Sequence, residues 1–179
     1  MNKRVKRIER KLAERKPEMK HRGVSASSTL ATGNIVASEV TAIAQNSTTQ
    51  GREGSQLKIH HIEYAVSVFI AASQVGGVDV YLVTSKDSSI TPVVGEFGTV
   101  PGSSANRQEY ISWKEHITNG PDNNGNIKFQ KNFRYPMKAM YRGSASTDCV
   151  NNKTFLVIKN STGNTVNYSY YYRVWFTDI

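Results

Sequence analysis

Ten cationic side chains crowd the first 22 positions: Lys3, Arg4, Lys6, Arg7, Arg10, Lys11, Arg15, Lys16, Lys20 and Arg22. Flexible ammonium and guanidinium groups at this density match closely spaced phosphates, and their binding displaces condensed counterions without any base readout. These ten are the candidate nucleic-acid-binding residues. Less Glu9, Glu14 and Glu18 they give the segment a charge of +7, whereas residues 23–179 hold 13 cations and 11 acids and carry only +2. Charge gathered in an arm instead of spread over the body suits a chain that grips a polyanion. A solubilising tail needs fewer cations than this. The run Lys3-Arg4-Val5-Lys6-Arg7 also fits a short nuclear-import cluster.

Catalytic chemistry has a weaker footing. Of His21, His60, His61 and His116, only the adjacent pair is close in sequence, and neighbours on a strand point to opposite faces. There is no Gly-x-Ser-x-Gly elbow, no phosphate-cradling Gly-x4-Gly-Lys-Ser/Thr loop and no His-Glu-x-x-His pair, and the acids are scattered singly. No enzymatic activity and no cofactor is therefore expected. The lone Cys149 cannot close an intrachain disulfide, and no Cys/His cluster suggests zinc. A partly buried thiol in a reducing compartment is the expectation. No stretch approaches the roughly 20 apolar residues of a membrane span, and no apolar core follows the basic N-terminus, so no membrane partner is expected.

The elements that must position these residues fall into two parts, a basic arm and linker over residues 1–31 and one β-domain over 32–179. Residues 3–16 put Val5, Ile8 and Leu12 at helical spacing, with Glu9 and Glu14 able to pair with cations a turn away. So thin an apolar stripe orders as a helix only against a partner or nucleic acid. Pro17 and Gly23 should end it and release the linker VSASSTLATG. From residue 32 onward the period becomes two. Along 166–177, Val166, Tyr168, Tyr170, Tyr172, Val174 and Phe176 point one way; Asn167, Ser169, Tyr171, Arg173, Trp175 and Thr177 point the other. The aromatic residues of this strand suit either base stacking or packing, and six alternating side chains on one face favour the packed interior of a sandwich.

Along 56–71 the phase slips: Leu57 and Ile59 are odd, while Ile62, Tyr64, Val66, Val68 and Ile70 are even, so a β-bulge is expected near His60 and His61. Residues 126–135 alternate until Pro136, which has no N–H to donate and should break the ladder. Runs at 32–44, 78–84, 109–118, 137–142 and 153–159 bring the strands to eight, with no long amphipathic helix between them. That pattern favours an antiparallel sandwich or barrel, and uneven strands with long loops favour a jelly roll over a meander. The connection at 85–108 is long for a compact domain and holds Val93, Val94, Phe97 and Val100, which either a neighbouring subunit or the chain's own sandwich would cover.

A basic arm, a Ser/Thr/Gly linker and an eight-strand domain together resemble the single jelly-roll capsid proteins of small circular Rep-encoding single-stranded DNA viruses, and those of plant satellite viruses. Two segments sharpen the likeness. Residues 44–59, with Gln50-Gly51-Arg52-Glu53-Gly54 before an alternating run, are similar to those families' turn into the second strand. The ending Tyr172-Arg173-Val174-Trp175-Phe176-Thr177-Asp178 is similar to their closing strand. The resemblance implies an all-β, eight-stranded antiparallel jelly roll, two four-stranded sheets in the orders BIDG and CHEF, with a basic and helix-capable N-terminal arm inside.

The same resemblance implies a virion structural protein, made in the host nucleus or cytoplasm, whose partners are copies of itself and a single-stranded genome. The family builds icosahedral T=1 shells of about sixty subunits, so arms of +7 would turn about 420 positive charges inward. The arm is shorter and richer in Lys and Glu than the almost pure Arg arms of circovirus type. It is closer to satellite-virus arms, leaving DNA and RNA both open, with DNA slightly favoured. Glu53, Asp79 and Asp122 are the acids a structural Ca2+ between subunits would draw on, though spacing alone predicts no such ion. The competing reading is a jelly-roll, lectin-like carbohydrate-binding module with an incidental basic tail. A cupin-type enzyme would need His and Glu converging on a metal, which this spacing lacks.

Overall fold

The computed structural model describes residues 18–46, 48, 50–71, 74–85, 109–118, 124–143 and 147–179. The expected arm helix at 3–16, most of the long connection at 85–108, and Asp122 lie outside them. Nine strands are present among the described residues, and no helix: β1 (Lys20–Leu30), β2 (Ile35–Glu39), β3 (Gln56–Phe69), β4 (Gly77–Ser85), β5 (Glu109–Thr118), β6 (Asn124–Tyr141), β7 (Cys149–Asn151), β8 (Lys153–Asn160) and β9 (Val166–Asp178). They form two sheets, of five strands in the order β1-β9-β3-β6-β7 and of four in the order β2-β8-β4-β5. Every pairing is antiparallel. Apart from β4 to β5 and β6 to β7, each connection crosses from one sheet to the other.

Period-two alternation decides which side chains fill the space between the sheets. From β9, Val166, Tyr168, Tyr172, Val174 and Phe176 are buried, and Tyr170 packs partly buried against them. Opposite them stand Val78, Val80 and Leu82 of β4 with Leu156 and Ile158 of β8. Burying each such side chain contributes about 1.5–3 kcal/mol against the cost of ordering the chain. Two tyrosines pass through this apolar layer and still satisfy their hydroxyls: Tyr172 donates to the Glu39 carbonyl at 3.1 Å and Tyr141 to the Thr41 carbonyl at 2.8 Å. Cys149 is fully buried, and burial raises its thiol pKa, with its Sγ–H donating to the Asn151 carbonyl.

The bulge expected near His60 is present. Both partners of β3 shift register between Ile59 and His61, and Leu57, Ile59, Ile62, Tyr64, Val66 and Val68 all face the core as a result. The shift also explains why Pro136 does not end β6. Ile59 pairs with Met137 and His61 with Asn132, so residues 133–136 lie opposite the bulge, where no ladder N–H is required of a proline. The two runs expected on either side of Pro136 are therefore one strand.

The segment expected to be a linker is strand β1, paired with β9 from Lys20↔Phe176 to Leu30↔Val166. The first strand of the described residues thus starts at Lys20. Its alternation is faint in sequence because β1 is an edge strand whose outward positions are His21, Gly23, Ser25, Ser27 and Thr29. Small polar residues there read equally well as a linker. The run expected at 32–44 keeps only Ile35–Glu39 as strand, and a turn follows it.

Deleting His60 removes the extra residue and forces either Leu57 and Ile59 or the series from Ile62 to Val68 onto the outer face. At about 1.5–3 kcal/mol per side chain, two to four displaced side chains cost about 3–12 kcal/mol, comparable to the whole roughly 5–15 kcal/mol of an ordinary domain. The deletion should abolish the cooperative thermal transition followed by circular dichroism. His60→Ala keeps the residue count and loses only the 3.0 Å bond between His60 Nε2 and Thr177 Oγ1, so it should fold with a loss of about 1 kcal/mol.

Candidate nucleic-acid interface

The ten candidate cations divide at Pro17. Lys3, Arg4, Lys6, Arg7, Arg10, Lys11, Arg15 and Lys16 lie outside the described residues, while Lys20 and Arg22 are on β1. Lys20 is buried and its charge is used inside the fold. Its Nζ lies 2.6 Å from Glu53 and 2.9 Å from Asp178. Burial by itself would lower the ammonium pKa, but hydrogen bonds and attraction from the two carboxylates outweigh it and hold the value above that of an ordinary lysine. Arg22 is half-buried opposite Val174, and its shielded Nη1 has no hydrogen-bond partner among the described residues.

This cluster joins the two segments that carried the resemblance. The Asp178 carboxylate also accepts the Glu53 backbone N–H at 2.9 Å, so the Arg52-Glu53 turn, the C-terminal strand and the root of the arm meet on one group. Arg52, taken from sequence only as part of a turn motif, is fully buried. It donates to the carbonyls of Ile43 and Gly143, each at 3.1 Å, and to Gly54, and its guanidinium stands 4.3 Å from the Tyr141 ring centre. Carbonyls that would otherwise be stranded in the 43–54 loop are satisfied in this way. Nothing in its spacing announced that role, because an arginine in a Gly-rich turn is ordinarily solvated.

Of the acids considered for Ca2+, Asp122 lies outside the described residues and the other two serve separate ion pairs. Glu53 serves Lys20, and Asp79 pairs with His116 at 2.7 Å. Among the described residues no group of three or more His, Cys, Asp or Glu is disposed to hold a metal ion. The outward set of β9 behaves differently from its inward set: Tyr171, Arg173 and Trp175 are half-buried on the outer face of the five-stranded sheet, between β1 and β3. Residues 1–17, with the other eight candidate cations, precede edge strand β1, which borders this face. No family model matches the chain, and no curated protein matches it in sequence.

Two predictions separate structural from binding roles. Lys20 is 5% exposed but Glu53 is 65% and Asp178 23% exposed, so solvent softens the loss of Lys20 below the cost of breaking a fully buried pair. Lys20→Ala should destabilise the domain by about 1–3 kcal/mol in urea melts. It should leave the salt dependence of single-strand binding unchanged, whereas Lys6→Ala lowers that slope by about 0.7 and leaves stability alone.

Burial lowers the pKa of both His60 and His61 from 6.5; the Lys58 charge adds to this at His60, and Glu63 opposes it at His61. Above pH 6.5 both are neutral folded or unfolded. As pH falls through 6.5 the unfolded chain takes up protons first, so folding stability should drop and then level off below the folded values. Replacing both with Gln should flatten that part of the stability profile in denaturant titrations at stepped pH.

Proposed function

We propose that the chain is a viral capsid subunit that assembles with its own copies into a small icosahedral shell and packages single-stranded nucleic acid through its basic N-terminal arm. The observation that carries this reading is the strand order, taken with the arm that feeds its first strand. With the three-residue β7 set aside as an addition at one edge, β1-β9-β3-β6 and β2-β8-β4-β5 read as B-I-D-G and C-H-E-F. That order supports a jelly roll, in a chain whose connections mostly alternate between sheets. A jelly roll alone serves many functions. Preceded by a polycationic segment, it becomes a shell wall with a charged inner lining.

The start of β1 at Lys20 sharpens the division of labour. Residues 1–17 hold eight cations less Glu9 and Glu14, a charge of +6. A shell of about sixty subunits then presents about 360 positive charges from its arms, a large share of what a small single-stranded genome needs for neutralisation. Nothing in this role asks the arm for a fixed geometry, so its mixture of Lys, Arg and Glu is compatible with either DNA or RNA. Catalysis plays no part in this reading, and Glu39, Glu53, Glu63, Asp79, Asp148 and Asp178 serve ion pairs within the sandwich.

Purified full-length protein should form particles of megadalton mass in negative-stain microscopy and sedimentation, containing nuclease-protected nucleic acid. Removal of residues 1–17 should leave the thermal transition of the sandwich within about 0.5 kcal/mol of the parent and eliminate most of the protected nucleic acid. Removal of 1–22 takes the Lys20 ion pairs as well and should cost stability. A soluble monomer that binds glycans with or without the arm would overturn the capsid reading in favour of a carbohydrate-binding module.

A further inference from the structure

The two outer faces of the sandwich differ in kind. On the four-stranded sheet, Tyr81 and Val83 of β4 and Phe155 and Val157 of β8 form a second buried apolar cluster. The outer face of the five-stranded sheet is mixed and partly open, with Phe69 and Met140 exposed toward its ends, and its centre is a column of flat side chains. His21, Trp175 and His61 occupy one row across β1, β9 and β3. The histidine ring centres lie 4.9 and 5.2 Å from that of Trp175. Two residues along β9, Arg173 places its guanidinium 5.7 Å from the Trp175 ring and 5.5 Å from Tyr171, while Glu63 steadies it at 3.2 Å. Tyr171 in turn lies against Gly23, where even a Cβ would come within 3.3 Å of its ring.

Hydrogen bonding points to the kind of occupant this face suits. Trp175 Nε1–H and Arg173 Nε–H are shielded from water and have no acceptor among the described residues. Both groups can only donate. A ligand that completes them must bring oxygen or nitrogen acceptors and a flat surface to lie on the rings. Rows beside the rings carry Ser25, Ser27, Ser67 and Ser169, so the strip next to Trp175 and Arg173 is hydrogen-bonding in character, with the apolar Phe69 and Met140 confined to the ends of the face. At the other end Lys58 and Lys138 stand opposite each other in register, adding cations with Arg173 to a face where Glu63 pairs with Arg173. An unpaired nucleotide chain meets all of these terms, with phosphate and base acceptors and exposed base faces, whereas a duplex keeps its base faces stacked internally.

We propose that the outer face of the five-stranded sheet is a stacking platform for single-stranded nucleic acid, in which the His21–Trp175–His61 row receives a base and Arg173 an adjoining phosphate or base acceptor. The inference rests on the packaging reading and assigns it a contact beyond the arm. His21 lies four residues after Pro17, so a strand gripped by the arm is delivered to the platform without leaving the same chain segment. The arm contributes affinity that is steep in salt; the platform contributes affinity that is not.

Trp175 and Trp113 are the only tryptophans, so in a Trp113→Phe background emission reports the platform. Titrating the full-length protein with a twenty-nucleotide oligothymidylate should quench that emission, and a duplex of equal length should not. Trp175→Ala should weaken single-strand binding about tenfold with an unchanged salt slope, and Trp175→Phe should retain most of the affinity. Tight oligonucleotide binding with unquenched emission and full affinity in both variants would overturn the platform while leaving arm-driven packaging intact. Unchanged affinity combined with a loss of particles in Trp175→Ala would overturn it too, by assigning the face to a second copy of the chain. Failure of the full-length protein to bind any nucleic acid would overturn packaging itself, and the platform with it.

Discussion

Strand β3 is hydrogen-bonded along both edges, to β9 and to β6, so its register sets the facing of three strands at once. Apolar side chains before and after residue 60 fall on opposite phases, and only an extra residue at that point turns both sets toward the four-stranded sheet. The bulge is thus a condition for having one core instead of two half-exposed strands. It also absorbs Pro136 on β6 and brings His60 within hydrogen-bond reach of Thr177. The same count that buries Ile62, Tyr64, Val66 and Val68 leaves His61 and Glu63 on the outer face, beside Trp175 and Arg173.

Positive charge has two separate tasks in this chain. Inside the sandwich it is consumed locally: Lys20 is neutralised by Glu53 and Asp178, and Arg52 spends its donors on loop carbonyls. Both hold together the region where the chain enters β1, turns before β3 and finishes β9. Ahead of Pro17 the charge is in excess, eight cations over two acids, and has to be balanced from outside the segment. A fold whose entry point is pinned by ion pairs can carry such an excess without its self-repulsion being passed into the core.

The outer faces divide along similar lines. The four-stranded sheet hides Tyr81, Val83, Phe155 and Val157, whereas the five-stranded sheet keeps serines, histidines, lysines and a tryptophan partly in solvent. An edge strand of small residues makes the second arrangement possible, since Gly23 leaves room for Tyr171 to lie flat. Stacked and cation-facing rings on β9 are thereby displayed beside the root of a polycationic arm, a combination that suits a flexible polyanion better than an apolar protein surface.

Sequence by itself determined the all-β class, the inward set of β9, the bulge at His60 and the concentration of charge before the body. Each of these follows from local periodicity or from counting, which needs no knowledge of partners. Only the tertiary structure decided that residues 20–30 are a strand, that β6 runs through Pro136, and that Lys20 belongs to an ion pair inside the fold. In those cases the deciding partner is distant: β9 supplies the ladder for β1, the bulge on β3 excuses the proline, and Asp178 lies at the far end of the chain. Arg52 and the His21–Trp175–His61 row were hidden for the same reason. A buried guanidinium is defined by the carbonyls around it, and a row across three strands exists only when residues more than a hundred positions apart share one register, which pairing energy rather than local propensity selects.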